Sequence, residues 1–332
     1  MKRLLSWVLI LTILLSLTAC GKKEPETGET VSAEQQKEVL TETLRKTGNF
    51  LYGSVADPTF GSVGGEWLIV GLARSGLDIP DEYYETYFQN LSVHTAQQGG
   101  VLHTKKYTEY SRVILAVTAI GKDPTDVGGF NMLTPLADFE QTVFQGINGP
   151  IFALLALDSG NYEIPENTAG STQATRDLYV DYIMNAQLPD GGWCLMGSEA
   201  EIDLTAMALQ ALAKYRDRKD VAETVEKGLA ILSDRQNENG GYPYSAAEQV
   251  SCESVAQVIV ALAELGISPD DSRFVKNGKT LLDGLLQFRQ ADGGFSHLID
   301  GETDLLATEQ AFYALVAANR IAQGESSLYR MK

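Results

Sequence analysis

Basic residues are in short supply in this chain. Its 332 residues include 26 Lys or Arg against 44 Asp or Glu, a formal net charge of −18. A nucleic-acid backbone rewards clustered cations, so a polynucleotide partner is excluded. Cysteine and histidine are scarcer still, at three each. Cys20, Cys194 and Cys252 are too few for a disulfide framework. His94, His103 and His297 fall at no spacing that reads as a zinc site, so neither metal nor cofactor is expected. A long apolar run is missing too: the one stretch of note, residues 4–17, is too short to span a bilayer. Glycine is plentiful, but the glycine-rich loop from Gly53 to Glu66 lacks the Lys-Ser/Thr that follows a phosphate-binding loop.

What the N-terminus does carry is a secretion signal. Lys2 and Arg3 precede the apolar stretch, and small residues follow it at Leu17-Thr18-Ala19-Cys20. That tetrad resembles a bacterial lipobox, in which Cys20 is lipidated and becomes the mature N-terminus. The plainer alternative is an ordinary signal with an incidental cysteine. Residues 1–19 thus read as signal, 20–32 as a polar, flexible tether, and 33–332 as one folded unit. Removing Lys2 and Arg3 moves the charge from −18 to −20. So acidic a surface resists lying on an anionic bilayer and suits a protein held off it by a tether. The expected location is the extracytoplasmic face of the cell membrane, with the lipid anchor as the only membrane contact.

Repetition dominates the remainder. Gln187-Leu188-Pro189-Asp190-Gly191-Gly192-Trp193 and Gln236-Asn237-Glu238-Asn239-Gly240-Gly241-Tyr242 share one pattern, Gln290-Ala291-Asp292-Gly293-Gly294-Phe295 echoes it with one residue fewer before the glycines, and Gln97-Gln98-Gly99-Gly100 is a shorter relative. Paired glycines supply the positive φ that a helix stop needs, and the aromatic that follows can fold back as a clamp. Six runs are apolar on all sides: 65–73, 111–120, 149–157, 205–212, 254–262 and 308–315. Each follows an amphipathic segment, at 33–51, 80–91, 135–146, 172–187, 219–236 and 272–290. Apolar stripes at three- and four-residue spacing, such as Val221, Val225, Leu229 and Leu232, or Phe274, Gly278, Leu281, Leu285 and Phe288, predict outer helices with one buried face. The continuous runs predict fully buried inner helices. Six of each in alternation make an all-α (α/α)6 toroid.

The Gln-x-x-x-Gly-Gly-aromatic motif, followed by the Ala-Leu-rich runs, resembles the repeat of the terpenoid cyclase and protein prenyltransferase β-subunit superfamily. That superfamily also takes in the helical domain of intrinsic factor and the transcobalamins. Segments such as Lys106-Tyr107-Thr108-Glu109-Tyr110-Ser111-Arg112 and Gly146-Ile147-Asn148-Gly149-Pro150 are similar to those of exported Gram-positive proteins built of prenyltransferase and squalene-oxidase repeats. The resemblance implies the toroid and, through the vitamin B12 carriers, a corrinoid or similarly bulky ligand; those carriers close over it with a β-rich domain. Cyclase activity would call for an Asp-x-Asp-Asp acid motif, which is absent; Pro269-Asp270-Asp271 and Asp123-Pro124-Thr125-Asp126 have the wrong order. Prenyl transfer would call for a zinc site, and none is legible.

In such a ring all inner helices start at one end, so residues at those starts face a common mouth. Glu66, Trp67, Tyr107, Glu109, Tyr110, Asn148, Asp203 and Glu253, with Asp304 and Glu309 beside them, are the candidate ligand-binding residues. An acid at a helix start is equally a cap, the plainer reading for Asp203 and Asp304. Glu66-Trp67 and Tyr107-Glu109-Tyr110 pair acids with large aromatics, which capping does not require. Gln210, Gln257 and Gln310 sit in apolar helices and must be satisfied by the lumen or by a neighbour. The expected function is therefore binding of a bulky small molecule, a corrinoid, an isoprenoid or a glycan, without turnover. The rival is an enzyme, cyclase- or prenyltransferase-like, or acting on a glycan through two facing carboxylates.

Overall fold

The computed structural model describes residues 33–168, 170–243 and 249–332; the expected signal, Cys20 and the expected tether lie outside the described residues. Helices account for nearly all of its regular structure. In chain order they are α1 (Ala33–Ser54), α2 (Glu66–Arg74), α3 (Asp81–Gln97), α4 (Thr108–Ala119), α5 (Phe139–Val143), α6 (Asn148–Ser159), α7 (Arg176–Asn185), α8 (Ile202–Leu212), α9 (Lys219–Arg235), α10 (Cys252–Glu264), α11 (Leu281–Leu286) and α12 (Leu305–Ala322). One two-residue antiparallel pair, β1 (Phe295–Ser296) with β2 (Thr303–Asp304), is the only sheet among the described residues.

The even-numbered helices form the inner ring. Each packs on the next even one, and α12 returns to α2, which closes the circle. Their sequences explain the position: all thirteen residues of α10 are buried, as is every residue from Tyr110 to Thr118 of α4. The odd-numbered helices bury one stripe each, Tyr83, Tyr87, Leu91 and Thr95 on α3, and Val221, Val225, Leu229 and Leu232 on α9. Inner helices hydrophobic all round and outer helices striped on one face are what a two-layer ring requires.

The turn motif is explained by contacts between repeats. Gln187 Nε2 donates to Gly191 O (2.8 Å) of its own turn and to Thr224 O (2.9 Å) of the next outer helix. Gln236 repeats this with Gly240 O and Phe274 O. Gly240 has φ +82°, and a Cβ there would lie 2.3 Å from Thr280 O; Gly293, at φ +99°, faces Lys46 O at 3.2 Å. Trp193, Tyr242 and Phe295 are fully buried. The backbone N–H groups of Trp193 and Phe295 donate to Thr205 Oγ1 and Thr308 Oγ1, at the heads of the following inner helices.

Two outer segments depart from their expected extents. Only 281–286 of the segment 272–290 is α-helical, because Asn277 and Gly278 take positive φ (49° and 74°) in a turn bridged by Lys276 and Lys279. Gly278 is therefore on no helical face, although Phe274, Leu281, Leu285 and Phe288 are buried as expected. The helix restarts where Thr280 and Asp283 cap one another reciprocally. Segment 135–146 likewise splits into a 3-10 turn, Thr134–Ala137, and the short α5, capped by Asp138. The chain leaves α6 at Ser159 and enters α7 at Arg176, at the end of the ring where the inner helices finish, away from the mouth.

That far end is sealed by the last residues. Ser327, Leu328 and Tyr329 are buried. Glu264 at the foot of α10 accepts from Ser327 Oγ (2.6 Å) and Tyr329 N (3.0 Å), and Arg74 at the foot of α2 donates to the carbonyls of Ser327 and Leu328. The ring is therefore a cup with a closed base. Cys194 and Cys252 are free thiols.

Candidate functional site

The open end of the cup is ringed by the first turns of the inner helices, and the acids there have three different fates. Glu66, at the start of α2, is 0% exposed and fully engaged. It accepts from the backbone N–H of Gly61 (3.2 Å), from Tyr87 OH (3.1 Å) and from Arg112 Nε (2.8 Å) of α4. Arg112 also pairs with Glu109, one helical turn before it. Burial raises the carboxyl of Glu66, an effect the guanidinium offsets in part. For Arg112 burial opposes the charge, and the two carboxylates overcome it, leaving the guanidinium above its ordinary value. This triad ties α2 to α4 and presents only part of Glu109 to the mouth.

Asp304 is a cap: its Oδ1 accepts from Ala307 N at 2.8 Å. Asp203 is not, since the N-cap of α8 is Glu201 and no side chain closes that end. The Oδ1 of Asp203 is shut away from solvent with no partner. Burial raises its carboxyl, a nearby Ser254 hydroxyl lowers it, and Glu201 adds repulsion. Glu253, one helix further round, sets Oε2 2.8 Å from His297 Nδ1, a contact that its distance along the chain hid from sequence reasoning. Burial again raises the carboxyl. Asn148 Oδ1, at the head of α6, is also buried without a partner.

Glu309 lies one turn into α12 beneath the 55–65 loop. Its Oε1 accepts from Gly64 N at 2.7 Å, and its Oε2 is buried and unpartnered. Burial, with repulsion from Glu66 and Asp304, pushes its carboxyl up to about 8. Such an acid holds its proton at neutral pH.

The aromatics form the floor. Trp67 is half-buried, with its ring 5.8 Å from both Phe152 on α6 and Tyr313 on α12. Phe152 was not among the residues expected here; its place in the all-apolar α6 run gave no sign of lumen contact. Tyr107 packs edge-on against Tyr110, whose hydroxyl accepts from Leu102 N at 3.1 Å. Tyr110 is thus a wall element, while Tyr107 is half-buried at the rim. Below the floor the glutamines link side by side. Gln210 Nε2 donates to Gln257 Oε1 (2.9 Å), and Gln257 Nε2 to Gln310 Oε1 (3.0 Å) and Tyr313 OH (2.5 Å). Neighbouring helices make these contacts, while Gln210 Oε1 stays buried without a partner.

The structure therefore brings the candidate residues to one end of the ring and divides them. Glu66, Glu109 and Tyr110 are bonded into the wall. Trp67, Tyr107, Asn148 and Asp203 have faces or atoms left over. Among the described residues no group of three or more His, Cys, Asp or Glu side chains is placed to hold a metal ion.

Comparison with known proteins agrees with this architecture. The family model described as the prenyltransferase alpha-alpha toroid domain matches residues 150–245 and 208–327, together more than half of the chain. A curated relative, drimenyl diphosphate synthase of Streptomyces showdoensis, is 26% identical over 146 residues, 43% of this chain. The match spans 27% of that enzyme's length. Two solved structures are similar in fold. A variant of the type II terpene cyclase MstE from Scytonema, in complex with geranylgeranyl dihydroxybenzoate, aligns at TM-score 0.56 and 15% identity, covering 87% of this chain and 100% of that one. Unsaturated glucuronyl hydrolase of Bacillus sp. GL1 aligns at TM-score 0.56 and 12% identity, over 90% and 99% respectively.

Proposed function

Because this chain belongs to the prenyltransferase alpha-alpha toroid domain family, we propose that it is a toroidal binding protein whose mouth holds a bulky, largely apolar small molecule without turning it over. One observation carries the reading. A floor of half-buried Trp67 and Phe152, backed by the buried Tyr313, lies inside a ring of helix starts at which Asn148 Oδ1 and Asp203 Oδ1 are buried and unpartnered. Stacking surface plus a few unsatisfied orienting groups is the composition of a ligand pocket.

Among the bulky ligands considered, the floor favours a slender isoprenoid-like chain over a corrinoid. Trp67 reaches partners on α6 and α12 together, which narrows the lumen, so a broad macrocycle would have to rest on the rim. The relatives named for terpene chemistry fit the same choice. A diphosphate head suits the site poorly, because the acids of the mouth outweigh the partial positive charge of the helix starts. Glu309, the acid whose protonation would suit proton donation, is 1% exposed and covered by the Gly64 loop, which supports binding over turnover.

Lipid attachment at Cys20 completes the proposal. Gln36, Lys37 and Leu40 of α1 line a cavity with Ala318 and Ala322 of α12, so α1 begins at the closed base. A tether leaving there would hold the mouth away from the membrane. Among the described residues no helix is long and apolar enough to cross a membrane. Cys20→Ala should leave the protein unprocessed or release it to the medium; a membrane-bound, normally processed variant rejects the anchor.

Binding itself is tested by titrating the purified protein with geranylgeraniol, cobinamide and a neutral oligosaccharide, with Trp67→Ala in parallel. Geranylgeraniol should raise the melting temperature of the wild type, and Trp67→Ala should lose at least roughly tenfold in affinity while staying folded. Equal binding by the variant, or no binding of any of the three, overturns the reading. A large loss of stability with binding intact would make Trp67 a core residue.

A further inference from the structure

At the seam where the ring closes, a cavity of about 790 Å³, counting its open side, lies between α1 and α12. We infer that it is a second binding site, for a linear carboxylate amphiphile of the free fatty acid class, with the chain inside and the carboxylate at the opening. The inference does not depend on the Trp67 floor at the other end of the ring.

A break in the outer shell creates the space. Helix α9 runs for 17 residues, whereas α11 has 6, because the turn at Asn277–Gly278 keeps the preceding residues out of the helix. The short α11 packs on α10 and α1 packs on α12, and the flank of α12 between them faces the cavity. The walls are Leu40 of α1, Ile259 of α10, Leu282 of α11, and Ala314, Leu315 and Ala318 of α12. All but Leu282 are buried. Ala314, Ala318 and Ala322 recur every fourth residue, so the cavity follows one face of α12 as a slot about 12 Å long. A narrow apolar slot of small-molecule size takes a chain, and each methylene it covers adds to affinity.

The polar groups at the opening select the head. Lys37, Asp270 and Ala322 are the exposed residues that mark it. Further along α1, Arg45 and Lys46 both pair with Glu42. Lys37 makes no ion pair among the described residues, although Glu34 lies three residues before it on the same helix, and the adjoining Gln36 makes no side-chain hydrogen bond there. An ammonium and an amide on one turn of α1 are thus left as donors beside an apolar slot, and a carboxylate accepts from both. Asp270, on the loop across the opening, accepts from the Ser268 hydroxyl. Its charge repels a carboxylate head, which places that head on the α1 side.

The test titrates the purified protein with decanoate, hexanoate and decyltrimethylammonium at matched ionic strength, followed by calorimetry and thermal melting. Decanoate should bind saturably, at least about tenfold more tightly than hexanoate, because the longer chain buries more methylenes. It should also bind at least about fivefold more tightly than the cationic amphiphile. Ala322→Trp, at an exposed position, obstructs the slot and should weaken decanoate roughly tenfold. Lys37→Glu, also exposed, should weaken decanoate roughly fivefold and reverse the preference between the two heads. Decanoate binding stands whether or not geranylgeraniol binds at the mouth, so the two readings fail separately. Equal affinity for hexanoate and decanoate overturns the inference, as does wild-type affinity in either variant. So does the absence of saturable binding at about 5 mM, the level of a contact too weak to be a site. A concentration-dependent dimer that Ala322→Trp abolishes would give the slot to a second copy and overturns it too.

Discussion

Glu309→Gln isolates the cost of one buried charge. In the folded chain the Glu309 side chain is 1% exposed, one oxygen held by Gly64 N and the other without a partner. Burial, with repulsion from Glu66 and Asp304, raises the carboxyl to about 8 from its ordinary value of 4.5, while the Gly64 N–H and, less, Arg112 pull the other way. A folded pKa above the unfolded one means that the folded chain binds the extra proton between those limits. Stability from this group is therefore complete below about pH 4.5, declines as the pH climbs, and is fully lost above about pH 8. The whole shift converts to a ceiling of about 5 kcal/mol at 1.36 kcal/mol per unit. Water entry and movement of the 55–65 loop reduce it, so about 2–3 kcal/mol is the expected effect.

Glutamine keeps the shape and the Gly64 bond and never ionises. The variant should match the wild type at pH 5, gain on it through pH 6–8, and melt about 4–6 °C higher at pH 9. Both proteins would be scanned side by side in buffers of equal ionic strength. The difference between them cancels Asp203, Glu253 and Glu264, whose carboxyls burial also raises. A difference that does not change with pH, or a variant less stable at pH 9, would refute the reasoning and mean that Glu309 is ionised on a partner.

Two other substitutions probe the frame around the mouth. Gly293→Val places a β-branched residue at φ +99° with its Cβ 3.2 Å from Lys46 O, so a loss of about 2–4 kcal/mol is expected in denaturant unfolding; a wild-type midpoint would refute the account of the repeat turn. Arg112→Met strands the carboxylate of Glu66, which is 0% exposed, and should cost about 3–5 kcal/mol, most of it recovered in the double variant with Glu66→Gln; failure of that rescue would mean that Arg112 acts by packing alone.

Much of the ring was legible because its determinants are local and repeated. Runs apolar on every side cannot be placed except inside, and all six become inner helices. The Gln-x-x-x-Gly-Gly-aromatic turn announces its own geometry, since a glycine at positive φ and a buried aromatic need no distant partner to be recognised. What misled was the face drawn through Gly278. Phe274, Leu281, Leu285 and Phe288 are buried as a helical stripe would bury them, yet a turn at Asn277–Gly278 interrupts the helix. Burial periodicity is a statement about one face, and a chain can keep that face while leaving the helix.

The mouth was harder to read for a physical reason that separates it from the ring. An acid in the first turn of a helix looks the same in sequence whether it caps, pairs or stands free, because the group that decides lies in another repeat. Asp304 finds its partner three residues on, at Ala307 N, and was readable as a cap. Glu66 finds Arg112 on the neighbouring inner helix, and Glu309 finds Gly64 245 residues away, so neither role could be read locally. Asp203 finds no partner for Oδ1 at all, which no pattern of residues can announce. Free binding capacity is what remains after a fold has satisfied its own polar groups. By that measure the α2–α4 side of the mouth is framework, and the α6–α8 side, with Asn148 and Asp203 still unsatisfied above the Trp67 floor, is where a ligand has something to gain.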